Sequence, residues 1–119
     1  MSIKDFRVLE VYQRCQKLLA PVKKLSKKIE KDHRDLARNL IKTACQIGPQ
    51  IAEGYAKKSS ANEFKRYLDM GIGSTDEMIA HLEQVIILAD NVNKESIKRL
   101  ISEYEIIAKQ LQTLKKVWK

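Results

Sequence analysis

The sequence predicts an all-α protein, one antiparallel up-down-up-down four-helix bundle spanning residues 1–119. Three observations point there. Apolar residues recur every three or four positions along four stretches, the period of helices and not the alternation of strands. The stretches are joined by brief polar segments, as antiparallel neighbours in a bundle require. Two prolines, four glycines and 32% charged residues suit a helical chain. At this length the chain is one domain. It can bury about two-thirds of its unfolded surface without metals or disulfides.

The first apolar row runs Phe6, Leu9, Tyr12, Cys15, Leu18 or Leu19, Val22, Leu25 and Ile29. Pro21 lies inside it, removes a backbone donor and predicts a kink or break near Ala20. Asp32 is the expected N-cap of the second helix, with Asp35 in its first turn, where the helix dipole favours negative charge. That helix carries Leu36, Leu40, Ala44, Ile47, Ile51 and Tyr55 through Pro49, and ends at Gly54 or within Lys57–Ser59. Ser60 and Glu63 have the spacing of a capping box, each side chain reaching the other's amide. The third helix then runs through Phe64, Leu68, Ile72, Thr75, Met78 or Ile79, Leu82, Val85 or Ile86 and Ala89. Asn93 caps the fourth, which carries Ile97, Leu100 or Ile101, Tyr104, Ile107 or Ala108, Leu111, Leu114 and Trp118. Its last lysines, Lys115, Lys116 and Lys119, suit the negative end of the dipole.

The third and fourth helices hold more apolar residues than one core stripe needs. Ile86, Ile87 and Leu88 are consecutive, as are Leu100 and Ile101, and Ile106 and Ile107. Such a surplus predicts a second buried surface, a subunit interface, and hence a homo-oligomer. No run approaches the 20 or so apolar residues of a membrane-spanning helix. The start, MSIKDFRVLE, carries Asp5 and Glu10 in place of an apolar run and does not read as a secretion signal; the expected location is the cytoplasm. Cys15 and Cys45 fall in apolar rows and read as small buried thiols, with a disulfide the minor alternative.

Residues 51–77, IAEGYAKKSSANEFKRYLDMGIGSTDE, join a helix end, a turn, a capped helix start and a glycine-marked face. Their landmarks are Ile51-Ala52-Glu53-Gly54-Tyr55, Lys57-Lys58-Ser59, Glu63-Phe64 and Gly73-Ser74. In these residues the chain resembles the bacterial four helix bundle or 23S rRNA intervening-sequence proteins. A looser likeness extends back to Phe6 and Leu9 and forward past Lys94. The resemblance implies a ring-shaped homopentamer whose genes lie inside 23S rRNA genes. A related branch serves as accessory protein to the reverse transcriptases of diversity-generating retroelements, binding enzyme and RNA. Five copies at +8 each would carry +40.

Reaction chemistry finds little support in the residues. A di-iron bundle needs several inward glutamates and Glu-x-x-His pairs, whereas His33 and His81 are the only histidines. Glu77 and His81 can share a face, but no second glutamate stands four residues from a histidine, and no metal or other cofactor is expected. An arginine four to six residues ahead of a histidine, as in helical toxin nucleases, is missing before both. Gly71-Ile72-Gly73-Ser74 lacks the strand and lysine of a phosphate loop. Its glycines are expected where a neighbouring helix backbone comes close. Glu53 reads as a structural carboxylate rather than a ligand-binding one, with Ser74, Tyr67 or free amides as partners. The chain is therefore not read as an enzyme.

Charge carries the functional expectation. The net charge is +8, and all of it arises in residues 1–60, where 14 Lys/Arg face 6 Asp/Glu. A one-sided basic surface concentrates anionic partners such as RNA or DNA. Lys17, Lys24, Lys28 and Lys31 are expected along one side of the first helix, continued by Arg34, Arg38 and Lys42 on the second. Lys57, Lys58, Lys65 and Arg66 form a second cluster at the next turn. Aromatic residues fall mostly at core spacing, so contact through phosphates is expected over base stacking. The competing expectation is a scaffold ring whose partner is a protein and whose lysines serve solubility.

Overall fold

The computed structural model describes residues 5–118. Lys119 and residues 1–4 lie outside them, and with them one of the lysines expected at the last helix end. Four helices follow one another: α1 (Glu10–Ile29), α2 (Arg34–Ala56), α3 (Ala61–Leu88) and α4 (Lys94–Val117). Among the described residues there is no strand. The helices run up, down, up and down in a rod of 49 × 23 × 22 Å. Consecutive helices pack closely along their lengths, whereas α1 and α4 meet over only a short stretch.

The first apolar row does not form one helix. Phe6–Val8 make a single 3₁₀ turn, capped by the Asp5 carboxylate accepting from the Arg7 amide at 2.8 Å, and α1 starts at Glu10. Of the kink or break expected near Ala20 the break does not occur: α1 continues through Pro21, as α2 does through Pro49. Both prolines are exposed, so the carbonyls they cannot pair with can turn to water. Asp32 is not the N-cap of α2. That position is taken by His33, which makes no side-chain cap bond, while Asp35 does lie in the first turn. The capping box at α3 is half formed. The Ser60 hydroxyl accepts from the Glu63 amide at 3.3 Å, but the Glu63 carboxylate turns to Arg66, and the Ser60 amide donates to the Lys57 carbonyl. Asn93 caps α4 as expected, accepting from the Ser96 amide at 3.0 Å.

The core is the expected set of rows, with Leu40, Ile47, Phe64, Leu82 and Ile107 wholly buried. At the lower end Trp118 closes it, edge-on to Phe64 at 4.7 Å and donating its indole N–H to the Lys58 carbonyl. Cys15 is buried but Cys45 is exposed, contrary to its apolar row, and both thiols are free. Cys45 sits at the solvent margin of α2, one position past the buried Thr43-Ala44 pair.

The glycines reverse the expectation placed on them. A methyl group at Gly73 would meet nothing within 4 Å, and one at Gly71 would make ordinary contact with the Leu111 side chain at 3.4 Å. Neither faces a neighbouring backbone. The close approach is at Gly54, where a Cβ would lie 2.6 Å from the Tyr67 Cβ and 3.2 Å from Phe64. Tyr67 Cβ is fixed to its backbone and cannot swing away. The two glycines therefore respond oppositely to alanine. Gly54→Ala should lower stability by about 1–3 kcal/mol through overpacking. Gly73→Ala should raise it by about 0.5–1 kcal/mol through helix propensity alone. Urea unfolding of the two variants tests this, and a stabilised Gly54→Ala would refute the close approach.

Burial also sets an alkaline limit. It pushes the Cys15 thiol up to about 12 and raises Tyr104, whose hydroxyl has no partner in the core. When the chain unfolds above about pH 9, both groups can ionise, while folded they hold their protons. The unfolded state then binds fewer protons, so stability falls as pH rises from about 9 towards 12. The denaturation midpoint should drop between pH 8 and 10.5, and less in Cys15→Ala. At neutral pH a thiol reagent should modify Cys45 in the folded protein and Cys15 only on unfolding.

Candidate nucleic-acid interface

The helical period divides the expected basic face into strips. Lys17, Lys24 and Lys28 lie on the side of α1 that borders α4, where they line depressions with Glu103 and Arg99. Arg34, Arg38 and Lys42, at four-residue spacing, run down an exposed edge of α2. Lys31 is not on α1 at all but in the turn after it. The two helical strips are therefore not one flat face. Lys23 and Lys27 occupy the exposed arc of α1 between them and join them into a wrap around the α1–α2 corner. Those two lysines were passed over as site residues, although their place on the solvent face was legible from spacing.

Most of these cations are uncommitted. Among the described residues, Arg38 pairs with Asp35 at 3.5 Å, and no ion pair involves Lys17, Lys24, Lys28, Lys31, Arg34 or Lys42. Even the Arg38 pair is well exposed, with both side chains more than half open to water, and such pairs contribute little. A phosphate can displace the carboxylate.

The second cluster lies at the other end of the rod. α2 has 23 residues, which at 1.5 Å each separates the α1–α2 corner from Lys57 by about 35 Å. Its members are more engaged. Lys58 Nζ sits 4.4 Å over the Tyr55 ring, and Lys57 and Arg66 lie over Tyr67 at 5.7 and 4.6 Å. Arg66 also bonds to Glu63 at 3.3 Å, and this guanidinium holds the Glu63 carboxyl below its ordinary value. The fold brings Lys65 beside Lys115 and Lys116 of α4, a grouping sequence spacing could not show. Lys115 itself pairs with Asp69 at 2.7 Å. Among the described residues, the cations of the α1–α2 corner are clear of rings and, Arg38 apart, of carboxylates, whereas at this end Lys57, Lys58, Arg66 and Lys115 are engaged.

The central motif is packing. Ile51 and Tyr55 enter the core, Gly54 lets α3 approach, and Glu53 stays exposed and accepts the Tyr67 hydroxyl at 3.1 Å. Tyr67, one of the expected partners, is the one used. Ser74 instead donates to Gln50 at 2.9 Å, and Thr43 donates to Glu77 at 3.3 Å. Three side-chain bonds thus line the α2–α3 seam, each joining α2 to α3 in antiparallel register. Glu77 also meets His81 at 3.3 Å. Among the described residues no three metal-ligating side chains gather, and no helix is long and apolar enough to cross a membrane.

Comparison with known protein families gives a match over most of the chain. The model of a family described as 23S rRNA-intervening sequence protein matches residues 7–113. No curated protein and no solved structure matches the chain.

Proposed function

The chain belongs to the 23S rRNA-intervening sequence protein family, and from that membership we propose a non-enzymatic, oligomeric bundle that binds structured RNA through its phosphates. The supporting observation is the α1–α2 corner, whose lysines and arginines are exposed and almost free of carboxylate partners. Charge of this kind gives affinity without reading sequence, because phosphates position a protein and base edges specify it. The aromatic rings argue the same way. Tyr55, Phe64 and Trp118 pack on one another, leaving little to stack on bases. Arg34, Arg38 and Lys42 form the strip that contacts phosphate, with Lys23, Lys27 and Lys31 extending it. DNA offers the same phosphates, so the distinction from RNA rests on helix shape.

A second reading, a scaffold ring for a protein partner such as a reverse transcriptase, draws support from the open α1–α4 seam and from Ile87 and Leu88, exposed at the end of α3.

Salt separates the two readings. Fluorescence anisotropy of labelled double- and single-stranded RNA and DNA, titrated across a salt series, should show affinity falling steeply and linearly on log–log axes. Replacing Arg34, Arg38 and Lys42 with Glu should reduce that slope by about 3, roughly one for each phosphate contact, and leave oligomer mass unchanged. No binding at low salt would sink the RNA reading. Loss of the oligomer in the triple variant would place those residues in a subunit interface instead.

A further inference from the structure

The seam between α1 and α4 is tied at two levels. Above, the Asn91 side-chain amide donates to the Lys28 carbonyl at 3.0 Å; below, Arg14 pairs with Glu103 at 2.9 Å. Between these ties lies a groove of about 550 Å³, within the size range of sites that take small organic ligands. Leu25 of α1 and Val92, Ile97 and Leu100 beside it give the groove an apolar floor. Its α1 wall runs from Pro21 to Lys28, about 10 Å of helix.

The polar groups around the groove divide into two kinds. Some are spent within the fold: Asn93 accepts from the Ser96 amide, the Ser102 hydroxyl donates to the Lys98 carbonyl, and Glu103 is held by Arg14. The rest are cations, Lys24 and Lys28 on one wall and Arg99 on the other. Among the described residues none of these three makes an ion pair. Arg99 donates to the Ser96 hydroxyl at 3.2 Å, a neutral bond that steadies the guanidinium without neutralising it. Floor and rim together select the occupant. A bare phosphate or a nucleic-acid backbone would leave the apolar floor wet, and a neutral chain would leave the cations unused. An apolar body carrying one anionic head satisfies both. The trough lies lengthwise between two helices, so an unbranched chain fits it better than a fused ring.

We propose that this groove binds the free anion of a fatty acid, its chain laid on Leu25, Ile97 and Leu100 and its carboxylate held between Lys24 and Arg99. The planar guanidinium can take both carboxylate oxygens, while the lysine adds a point charge from the opposite wall. The site is separate from the Arg34, Arg38 and Lys42 strip on α2. It goes beyond the RNA reading and does not depend on it.

The test is isothermal titration calorimetry of the full chain with dodecanoate, kept below the concentration at which it forms micelles. Dodecanoate should bind saturably, one per chain. Decanoate and octanoate probe the floor without any mutation, and affinity should fall about fourfold for each methylene removed from it. Dodecanol, which lacks the charge, should bind about tenfold more weakly or worse, and dodecylammonium should not bind. Lys24→Gln with Arg99→Gln changes two exposed side chains, and circular dichroism checks that the variant stays helical. It should weaken dodecanoate about tenfold or more and bring it level with dodecanol. Replacing Arg34, Arg38 and Lys42 with Glu should leave dodecanoate binding in place, so failure of the RNA reading and failure of this one are told apart. No saturable heat with dodecanoate, or binding only once micelles form, would overturn the proposal, as would a groove already filled by another copy and closed to the ligand. Equal affinity for dodecylammonium, or a rim variant that binds as the wild type does, would overturn the assignment of the carboxylate to Lys24 and Arg99.

Discussion

The approach of α3 to α2 at Gly54 is the contact on which the rest of the bundle is aligned. With Tyr67 Cβ within 2.6 Å of where a side chain would begin, the two helices come closer there than any other residue would allow. That closeness has consequences in both directions along the seam. It presses Tyr55 against Phe64, with ring centroids 5.9 Å apart, and so seeds the aromatic cluster that Trp118 completes. It also fixes the register that lets Gln50 meet Ser74 and Thr43 meet Glu77. Net worth is modest for each such bond, about 1 kcal/mol. Their combined role is to select one sliding position of two long helices out of several that would bury similar apolar area.

A tight α2–α3 pair contrasts with a loose α1–α4 pair. In a closed four-helix bundle every helix has two full neighbours. Here α1 is fully packed on α2 alone, and its other flank meets α4 mainly through Arg14–Glu103 and the Gln110–Glu10 bond at 3.3 Å. Apolar side chains on that flank remain partly wet. The positive charge gathers on the same helix, because seven of the lysines between Lys17 and Lys42, with Arg34 and Arg38, follow one another through α1, its turn and α2. α1 thus borders an apolar groove on its α4 flank and an unneutralised charge at its α2 corner.

Polar residues that suggested chemistry are spent on structure. Glu53 holds Tyr67, Glu77 holds Thr43 and His81, and the two cysteines lie in different environments, one sealed in the core and one at the surface. Their neighbours are accounted for by packing. The central motif is accordingly a statement about fold, and the basic corner is an exposed surface.

Four helices, their order and the buried rows were legible from sequence, because the 3.6-residue period of a bundle core is a local signal that each helix carries by itself. So were the caps at Ser60 and Asn93, which depend on residues three apart. The charge asymmetry was legible by counting. What neighbouring helices do to one another was not. Spacing could not say that Gly54 rather than Gly73 sits at the close approach, since both look alike until a partner helix is placed against them. It could not say that Cys45 lies just past the buried margin, a difference of one helical step. Lys17, Lys24 and Lys28 were readable as exposed, but whether they join Arg34, Arg38 and Lys42 depends on which flank of α1 meets α2, and only packing sets that rotation. The open α1–α4 seam is likewise a property of how four faces close around one core, which no single helix encodes.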